Sequence, residues 1–365
     1  MKIVHVTTSY TPRIGGMENA VKELAERTAR MGHDVTVITS SFKGSKKTEK
    51  KDHLTIHRLW SIWINRVPEV MPMLPFKLLR YIDSKTIVHV HYLLNPCIDI
   101  ALVISKLKRA KIVSHIHIDP LPSGLFGFLN PSYKKLTWKS VLPLSDVVIC
   151  PTRDYVDIAE HYQVPRSKCI VVPYGIDKTR FRRKDSSDIS TPVKILFVGR
   201  LSTQKNIPRL LEAFKLFQRK YEAVLHIVGE GEERHIIENF IRNNNMSNII
   251  MEGAFVGEKL ADVYTSSDIF VLTSDYESFG IVNLEAMASG LPIIASDIPG
   301  VRNLLERSAI LVKPTPENFA AAMINLVEDA HLRRELVSKG SEKVGDYDWD
   351  RITEKVVDIY SKIGN

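Results

Sequence analysis

Cysteine is scarce in this chain: Cys97, Cys150 and Cys169 are the only three in 365 residues. An odd number with no C-x-x-C spacing excludes a disulfide framework and a cysteine-based zinc site, and points to reduced packing residues. No apolar run approaches the ~18 residues needed to span a bilayer. The opening "MKIVHVTTSY" is a β-branched strand running into polar residues, without the apolar core and cleavage site of a secretory leader. A cytoplasmic protein is expected. The G-x-G-x-x-G signature of dinucleotide-binding folds is missing. No nucleic-acid motif occurs, and the aromatic residues are not grouped on a strand face for base stacking.

What is present is globular: 44% apolar and 25% charged residues. A length of 365 exceeds one ordinary core and favours two domains. The net charge of +8 is unevenly spread. Residues 1–190 hold 30 Lys+Arg against 17 Asp+Glu, a net of +13, whereas 191–365 hold 20 against 25, a net of −5. Either the first half meets something anionic or it carries a solvated basic surface. A nucleic acid, an acidic lipid surface and a phosphorylated substrate all fit the first reading.

Short β-branched runs alternate with helical stretches. "KIVHV", "DVTVIT", "TIHRLW", "TIVHVHYL", "KIVSHIHI", "DVVICPT" and "KCIVVPYGID" read as strands. The polar "DKTRFRRKDSSDISTP" reads as a linker, after which the alternation restarts at "VKILFVGRL". The expected fold is α/β: two Rossmann-like doubly wound domains, 1–180 and 193–346, joined by 181–192. Ligands of such sheets bind beyond the carboxyl ends of the strands, so a cleft between the two domains is the default active site.

Arg200 and Lys205 follow strand "KILFVGR" and either suit a diphosphate, Arg as a planar donor fork and Lys as a compact charge, or are ordinary surface residues of a loop. In "DYESFGIVNLEAMASG" a helix is expected to begin near Gly280. The N–H groups of Phe279, Gly280 and Ile281 then form an anion site. Glu277 precedes that helix start and Glu285 lies inside the helix. Eight residues at helical rise span ~12 Å. A retaining hydrolase holds its carboxyl groups ~5 Å apart and an inverting one ~6.5–9.5 Å apart, so the pair suits a ligand with hydroxyls at both ends and phosphates between them. A nucleotide sugar has that shape. Gly15-Gly16 sits between the first strand and first helix, either to let a ligand approach the backbone or as an ordinary turn. His115 and His117 share one strand face, as do His89 and His91. Paired histidines raise a metal site, but no third ligand stands in a recognisable spacing, and none is expected.

The segments "IGGMENAVKELAERTARMGHDVTVIT", "VVPYGIDKTRF", "ILFVGRLSTQKNIPRLLEAF", "LHIVGEGEE", "SSDIFVLTSDYESFGIVNLEAMASGLPIIASDIPGV" and "ILVKP" resemble glycosyltransferase family 4, in order and over nearly the whole chain. The resemblance implies the GT-B fold, with the acceptor largely on the first domain and the nucleotide sugar on the second. It also implies a terminal helix, 347–365, that returns to the first domain, and metal-independent transfer with retention. Carried over residue by residue, Arg200 and Lys205 next to Gly199 bind the donor diphosphate. Glu277 holds sugar hydroxyls and Glu285 the ribose. Phe279, Gly280 and Ile281 complete the phosphate site, Gly15 and Gly16 close it, and His117, or His115 after a shift of two, stands near the reacting sugar. Two departures stand out: Ser278 where the family often has glycine, and Ser308-Ala309 replacing a glycine.

Two variable stretches mix apolar and basic residues. One holds Arg66, Lys77 and Arg80; the other holds Leu125, Phe126, Phe128 and Trp138. They suit either docking on an anionic membrane, which would bring a lipid-linked acceptor within reach, or cover for the first domain's core. A soluble or polysaccharide acceptor, a sugar-nucleotide epimerase of the same fold, and a nucleic-acid-binding protein are the competing readings. A phosphorylase is disfavoured because no pyridoxal-lysine motif is seen. A catalytically dead scaffold is disfavoured by the presence of Glu277, Glu285, Arg200 and Lys205. No cofactor beyond the nucleotide-sugar co-substrate is expected.

Overall fold

The alternation of β-branched runs and amphipathic stretches produces two α/β units. The computed structural model describes residues 1–62, 70–92, 95–117, 130–181 and 188–364. One unit comprises Met1–Tyr174 with Trp349–Asn365, the other Gly175–Asp348. Residues 182–187, most of the expected linker, lie outside the described residues, as do Arg66, Leu125, Phe126 and Phe128.

In the first unit, β1 (Lys2–Val6), β2 (Asp34–Ser40), β3 (Thr48–Lys51), β4 (Leu54–Leu59), β5 (Thr86–Tyr92), β6 (Lys111–Ile116), β7 (Val147–Cys150) and β8 (Cys169–Val171) form one sheet. Its order is β3-β4-β2-β1-β5-β6-β7-β8, so the direction of winding reverses between β1 and β5. All neighbours are parallel except β3, which pairs antiparallel with β4. That edge strand, "TEKK", has no apolar alternation to announce it, and its charges suit an edge that must not recruit another strand. Helices α1 (Gly16–Arg30), α2 (Leu74–Tyr81), α3 (Pro96–Leu107), α4 (Asn130–Ser140) and α5 (Arg153–His161) connect the strands.

Strand pleating divides the side chains between two faces. Val4, Val6, Val88, Val90 and Ile112 join Leu74 and Leu78 of α2 and Ile98 and Leu102 of α3 in the main core. The alternate positions carry histidine. Parallel register sets His5 opposite His89 and His91 opposite His115. Of the two readings left open for its stretch, membrane docking or cover for the core, Trp138 fits the second: it is 1% exposed and packs edge-on against Tyr92 and Tyr162.

The second unit's sheet holds β9 (Val193–Val198), β10 (Ala223–Val228), β11 (Ile249–Gly253), β12 (Ile269–Leu272), β13 (Ile293–Ser296) and β14 (Ile310–Val312), in the order β11-β10-β9-β12-β13-β14 and parallel throughout. Its helices are α6 (Ile207–Phe217), α7 (Arg234–Asn244), α8 (Glu258–Ser266), α9 (Ile281–Ala288), α10 (Pro299–Leu305), α11 (Pro316–Glu328) and α12 (Ala330–Val344). α11 and α12 are separated at Asp329, whose carboxylate accepts the Leu332 N–H at 2.8 Å and caps α12. The winding reverses between β9 and β12, so the loops at 199–206 and 273–280 emerge from adjacent carboxyl ends, the usual binding position in such sheets.

The last helix, α13 (Trp349–Gly364), belongs to the first unit. Trp349, Ile352, Val356, Ile359 and Tyr360 form its buried stripe, Arg27 of α1 pairs with Asp350, and Tyr360 hydrogen-bonds His89 Nδ1.

Candidate active site

In the second unit the chain leaves β9 through Gly199, whose N–H donates to Val228 O at 3.0 Å; Leu201 N–H donates to Glu230 O, also at 3.0 Å. The loop after β10 can lie this close because it is "GEG". A Cβ on Gly229 would stand 1.8 Å from Gly199 O, and one on Gly231 2.2 Å from Leu201 O. A Cβ on Gly199 would stand 3.3 Å from Phe197 Cζ, a tight approach, and 3.6 Å from Lys205 Cε, an ordinary contact.

The turn bearing Lys205 is fastened to the loop after β12. Thr273 Oγ1 donates to Lys205 O (3.0 Å), Asp275 N–H to Gln204 O (2.9 Å), and Gln204 Nε2 to Tyr276 O (3.3 Å). Arg209 of α6 donates to Thr273 O at 2.8 Å and to Asp275 Oδ1 at 2.6 Å. This lacing carries the Lys205 ammonium onto Glu277 Oε1, which also accepts from Ser274 Oγ at 2.7 Å. The pair is nearly enclosed, with side chains 15% and 8% exposed. Arg200 is exposed and has no ion pair among the described residues.

Three residues on, Gly280 adopts a left-handed φ of 75° and starts α9. Any Cβ there would meet Asn283 Nδ2 at 2.5 Å. The first N–H groups of α9, beginning with Ile281, have no carbonyl one turn back to bond and point out of the helix start. Phe279 is buried. Glu285, one turn further along, accepts a 2.8 Å hydrogen bond from the Tyr264 hydroxyl. Burial pushes its carboxyl up to about 7, against the opposing pull of that hydrogen bond and of Arg180. It is therefore neither a freely solvated helix residue nor a permanently ionised one.

Within this unit the structure brings together Gly199, Lys205, Glu277, Gly280 and Ile281, with Glu285 on the same helix. Sequence reasoning missed Ser274, Arg209 and Tyr264, whose polar roles appear only once strand order is known. It also missed Gly300, where a Cβ would stand 1.6 Å from Glu277 O.

In the first unit, Gly15 precedes α1, and the Glu18 carboxylate folds back over it: Oε1 accepts from Ser9 Oγ at 2.6 Å, and a Cβ on Gly15 would lie 2.1 Å from Oε2. Gly16 is the first residue of α1. His117 is 1% exposed and both its ring nitrogens are engaged, Nδ1 with Tyr174 OH (2.7 Å) and Nε2 with His91 Nδ1 (2.8 Å). His91 Nε2 continues the chain to His5 Nδ1 at 2.9 Å. His115 stacks on His117 at 4.3 Å between centroids, and both its nitrogens are buried without a partner. Burial holds His5 and His115 down to about 3, and His89, His91 and His117 also well below the usual imidazole range, so the whole layer is neutral.

His89, His91 and His115 each offer a nitrogen within 4.8 Å of the others. The third member, not seen from sequence spacing, is supplied by the β5–β6 register. The geometry is poor for a cation. His89 and His91 stack at 4.5 Å with planes 12° apart, so their in-plane lone pairs run side by side instead of converging. Zinc-bound nitrogens lie ~2 Å from the metal, hence within ~3.5 Å of one another.

Comparison with known proteins gives one consistent picture. A family profile described as "Glycosyltransferase Family 4" matches residues 14–180, and one described as "Glycosyl transferases group 1" matches 178–343. An uncharacterized glycosyltransferase of Methanocaldococcus jannaschii is 29% identical, covering 99% of this chain and 98% of its own. A GDP-mannose-dependent alpha-mannosyltransferase of Mycobacterium tuberculosis is 28% identical over 84% of this chain and 81% of its own. Among solved structures, sucrose-phosphate synthase from Thermosynechococcus elongatus superposes with a TM-score of 0.80 at 20% identity, covering 99% of this chain and 98% of that one. The Anabaena HepE protein, solved with UDP and glucose, gives 0.77 at 17% identity over 99% of both chains.

Proposed function

The chain belongs to glycosyltransferase family 4, a hexosyltransferase of GT-B fold that uses a nucleotide sugar; on that premise we propose that it transfers a hexosyl group with retention to a lipid or lipid-linked glycan at the cytoplasmic face of a membrane. The observation that carries the donor half of this reading is the Lys205–Glu277 pair, with Glu277 four residues before the first residue of α9.

Departure of the nucleoside diphosphate builds negative charge on its oxygens. Lys205, Arg200 and the N–H groups of Phe279, Gly280 and Ile281 at the start of α9 stabilise that charge, the lysine exchanging part of its contact with Glu277 for the phosphate. Glu277 then accepts hydroxyls of the donor sugar and Glu285 those of the ribose. Gly199 keeps the loop close to the diphosphate. The first unit holds the acceptor side; its Gly15 and Gly16 are candidate contacts of the donor phosphates and His117 of the reacting sugar. With both ring nitrogens of His117 engaged in the ground state, His117 acts by handing one hydrogen bond over to substrate, and His115 remains the alternative.

Charge stabilisation by these groups leaves no step that needs a metal, so transfer is metal-independent and dialysis against EDTA leaves turnover unchanged. The acceptor attacks from the face the leaving group departs, because no carboxylate is assigned as a nucleophile on the other. The experiment that tests the donor reading is a thermal-unfolding panel of UDP-, GDP- and ADP-sugars. One nucleotide series is expected to raise the midpoint, by an amount set by its concentration over Kd. No shift with any of them defeats the reading.

A further inference from the structure

Half of the exposed large apolar side chains among the described residues fall between Trp60 and Leu107, so this surface is not an even scatter of single hydrophobes. They concentrate on two neighbouring helices. α2 buries Leu74 and Leu78 and leaves Met73, Phe76 and Leu79 outside. α3 buries Cys97, Ile98, Ala101, Leu102 and Ser105 while Ile100, Val103 and Leu107 form an outward stripe at helical spacing. Phe76 is 66% exposed and Leu107 77%. The two helices pack on each other, and Met71 just before α2 donates its N–H to Cys97 Sγ of α3 at 3.1 Å, so the two stripes share one side of the first unit.

The charge around this surface has one sign. Between residues 70 and 111 there are seven Lys or Arg (77, 80, 85, 106, 108, 109, 111) and two Asp (83, 99), a net of +5. Neither aspartate is free: Asp99 is buried and accepts from the Tyr92 hydroxyl, and Asp83, at the surface, is paired with Lys2. Lys77 lies over the Tyr81 ring at 4.9 Å, and Arg80, Lys106 and Arg109 are exposed at the ends of the two helices. A second copy of this chain facing the same surface would set like charges against each other.

We propose that the exposed faces of α2 and α3 dock the protein on an anionic bilayer, with Phe76 and Leu107 entering the acyl boundary and Arg80, Lys106 and Arg109 meeting the headgroups. Apolar side chains rimmed by Lys and Arg are what an interfacial membrane surface requires. Among the described residues no helix is long and apolar enough to cross a membrane, so docking is peripheral. This deepens the membrane-surface part of the proposed function and gives it α3, which carries no variable stretch in the sequence.

The test is co-sedimentation of the full chain with vesicles of phosphatidylcholine alone and with phosphatidylglycerol added, at low and physiological salt. The anionic vesicles are expected to bring the protein down, with affinity falling as salt rises. The variants Phe76→Ser with Leu107→Ser, and Lys106→Glu with Arg109→Glu, are each expected to weaken binding roughly tenfold or more. Their unfolding temperatures and nucleotide protection should remain those of the wild type. Absence of binding to anionic vesicles at low salt overturns the proposal, as does binding that both variants retain. A concentration-dependent dimer abolished by Phe76→Ser with Leu107→Ser overturns it in favour of a second copy. Failure of nucleotide protection in a protein that still sediments instead rejects the donor reading and leaves this one standing.

Discussion

The Lys205 ammonium rests on Glu277 Oε1 across 72 residues of chain, with Ser274 Oγ donating to the same oxygen at 2.7 Å. Two residues proposed for adjoining parts of the donor, its diphosphate and its sugar, are therefore partners before any donor arrives. The pair keeps each charge compensated in a nearly enclosed place, where an unpaired charge would be costly.

Removing the ammonium should therefore separate activity from stability. Lys205→Met is expected to lower turnover by about 100-fold or more, the usual cost of losing one group that stabilises transition-state charge. It should also cost about 3 kcal/mol of stability by leaving Glu277 enclosed without its cation. The double variant Lys205→Met, Glu277→Gln should regain most of the stability and none of the activity. Denaturant midpoints and donor turnover measured together on all three proteins check this, and near-normal turnover in Lys205→Met rejects the diphosphate assignment.

The candidate donor segment was legible in sequence because its parts are contiguous: a strand, Glu277, Gly280 and Glu285 lie within one short stretch, although only the part from Ile281 onward is helical. The lacing of Lys205 to Glu277 was not legible, since it depends on β9 and β12 being neighbours in a reversing sheet. His117 illustrates the same limit. Its sequence neighbours say nothing of Tyr174, 57 residues on, or of His91, brought alongside by the β5–β6 pairing. The edge strand β3 failed for a different reason: its residues are charged, and no alternation of burial marks it.

Glu285 makes donor binding depend on pH. Its folded carboxyl sits at about 7, above the unfolded 4.5, so below 7 it is largely protonated. A carboxylate accepts two ribose hydroxyls better than an acid does, so donor binding should draw the proton off and tighten as pH rises from 6 to 8. The gain is up to roughly tenfold per unit of linked proton release. Glu285→Gln should bind more weakly and lose that dependence. Isothermal titration at several pH values decides it, and affinity that falls with rising pH contradicts the ribose role.

The histidine layer carries the opposite linkage. His5 and His115 have folded values near 3, against 6.5 when unfolded, and their neighbours are lowered in the same direction by burial. The unfolded chain therefore binds more protons below 6.5. Stability is complete above that value and is lost as pH falls through the window towards 3. Each such imidazole withholds about 2 kcal/mol at pH 5. Urea midpoints at pH 7.5 and 5 should differ accordingly, and His115→Phe, which removes two unpartnered buried nitrogens, should reduce the difference. A midpoint insensitive to pH across that range would show that the layer opens to water.

Gly300 offers the sharpest separation of geometry from chemistry. It touches no candidate ligand atom and titrates nothing, yet a Cβ on it would stand 1.6 Å from Glu277 O and 3.5 Å from Ser278 C. Backbone cannot yield as a flexible side chain does, so Gly300→Ala must push the Glu277 segment or the start of α10 aside. Overpacking of this kind costs about 1–3 kcal/mol. The same shift pulls Glu277 away from Lys205 and from the start of α9, so the Michaelis constant for the donor should rise at least about tenfold while the circular dichroism of the fold is kept. Gly257→Ala, at a glycine with open space around it and away from Glu277, is the control: strained by its φ of 65°, it should lose stability without the change in donor affinity. Equal donor constants for Gly300→Ala and the wild type would mean that the position of Glu277 does not set donor affinity.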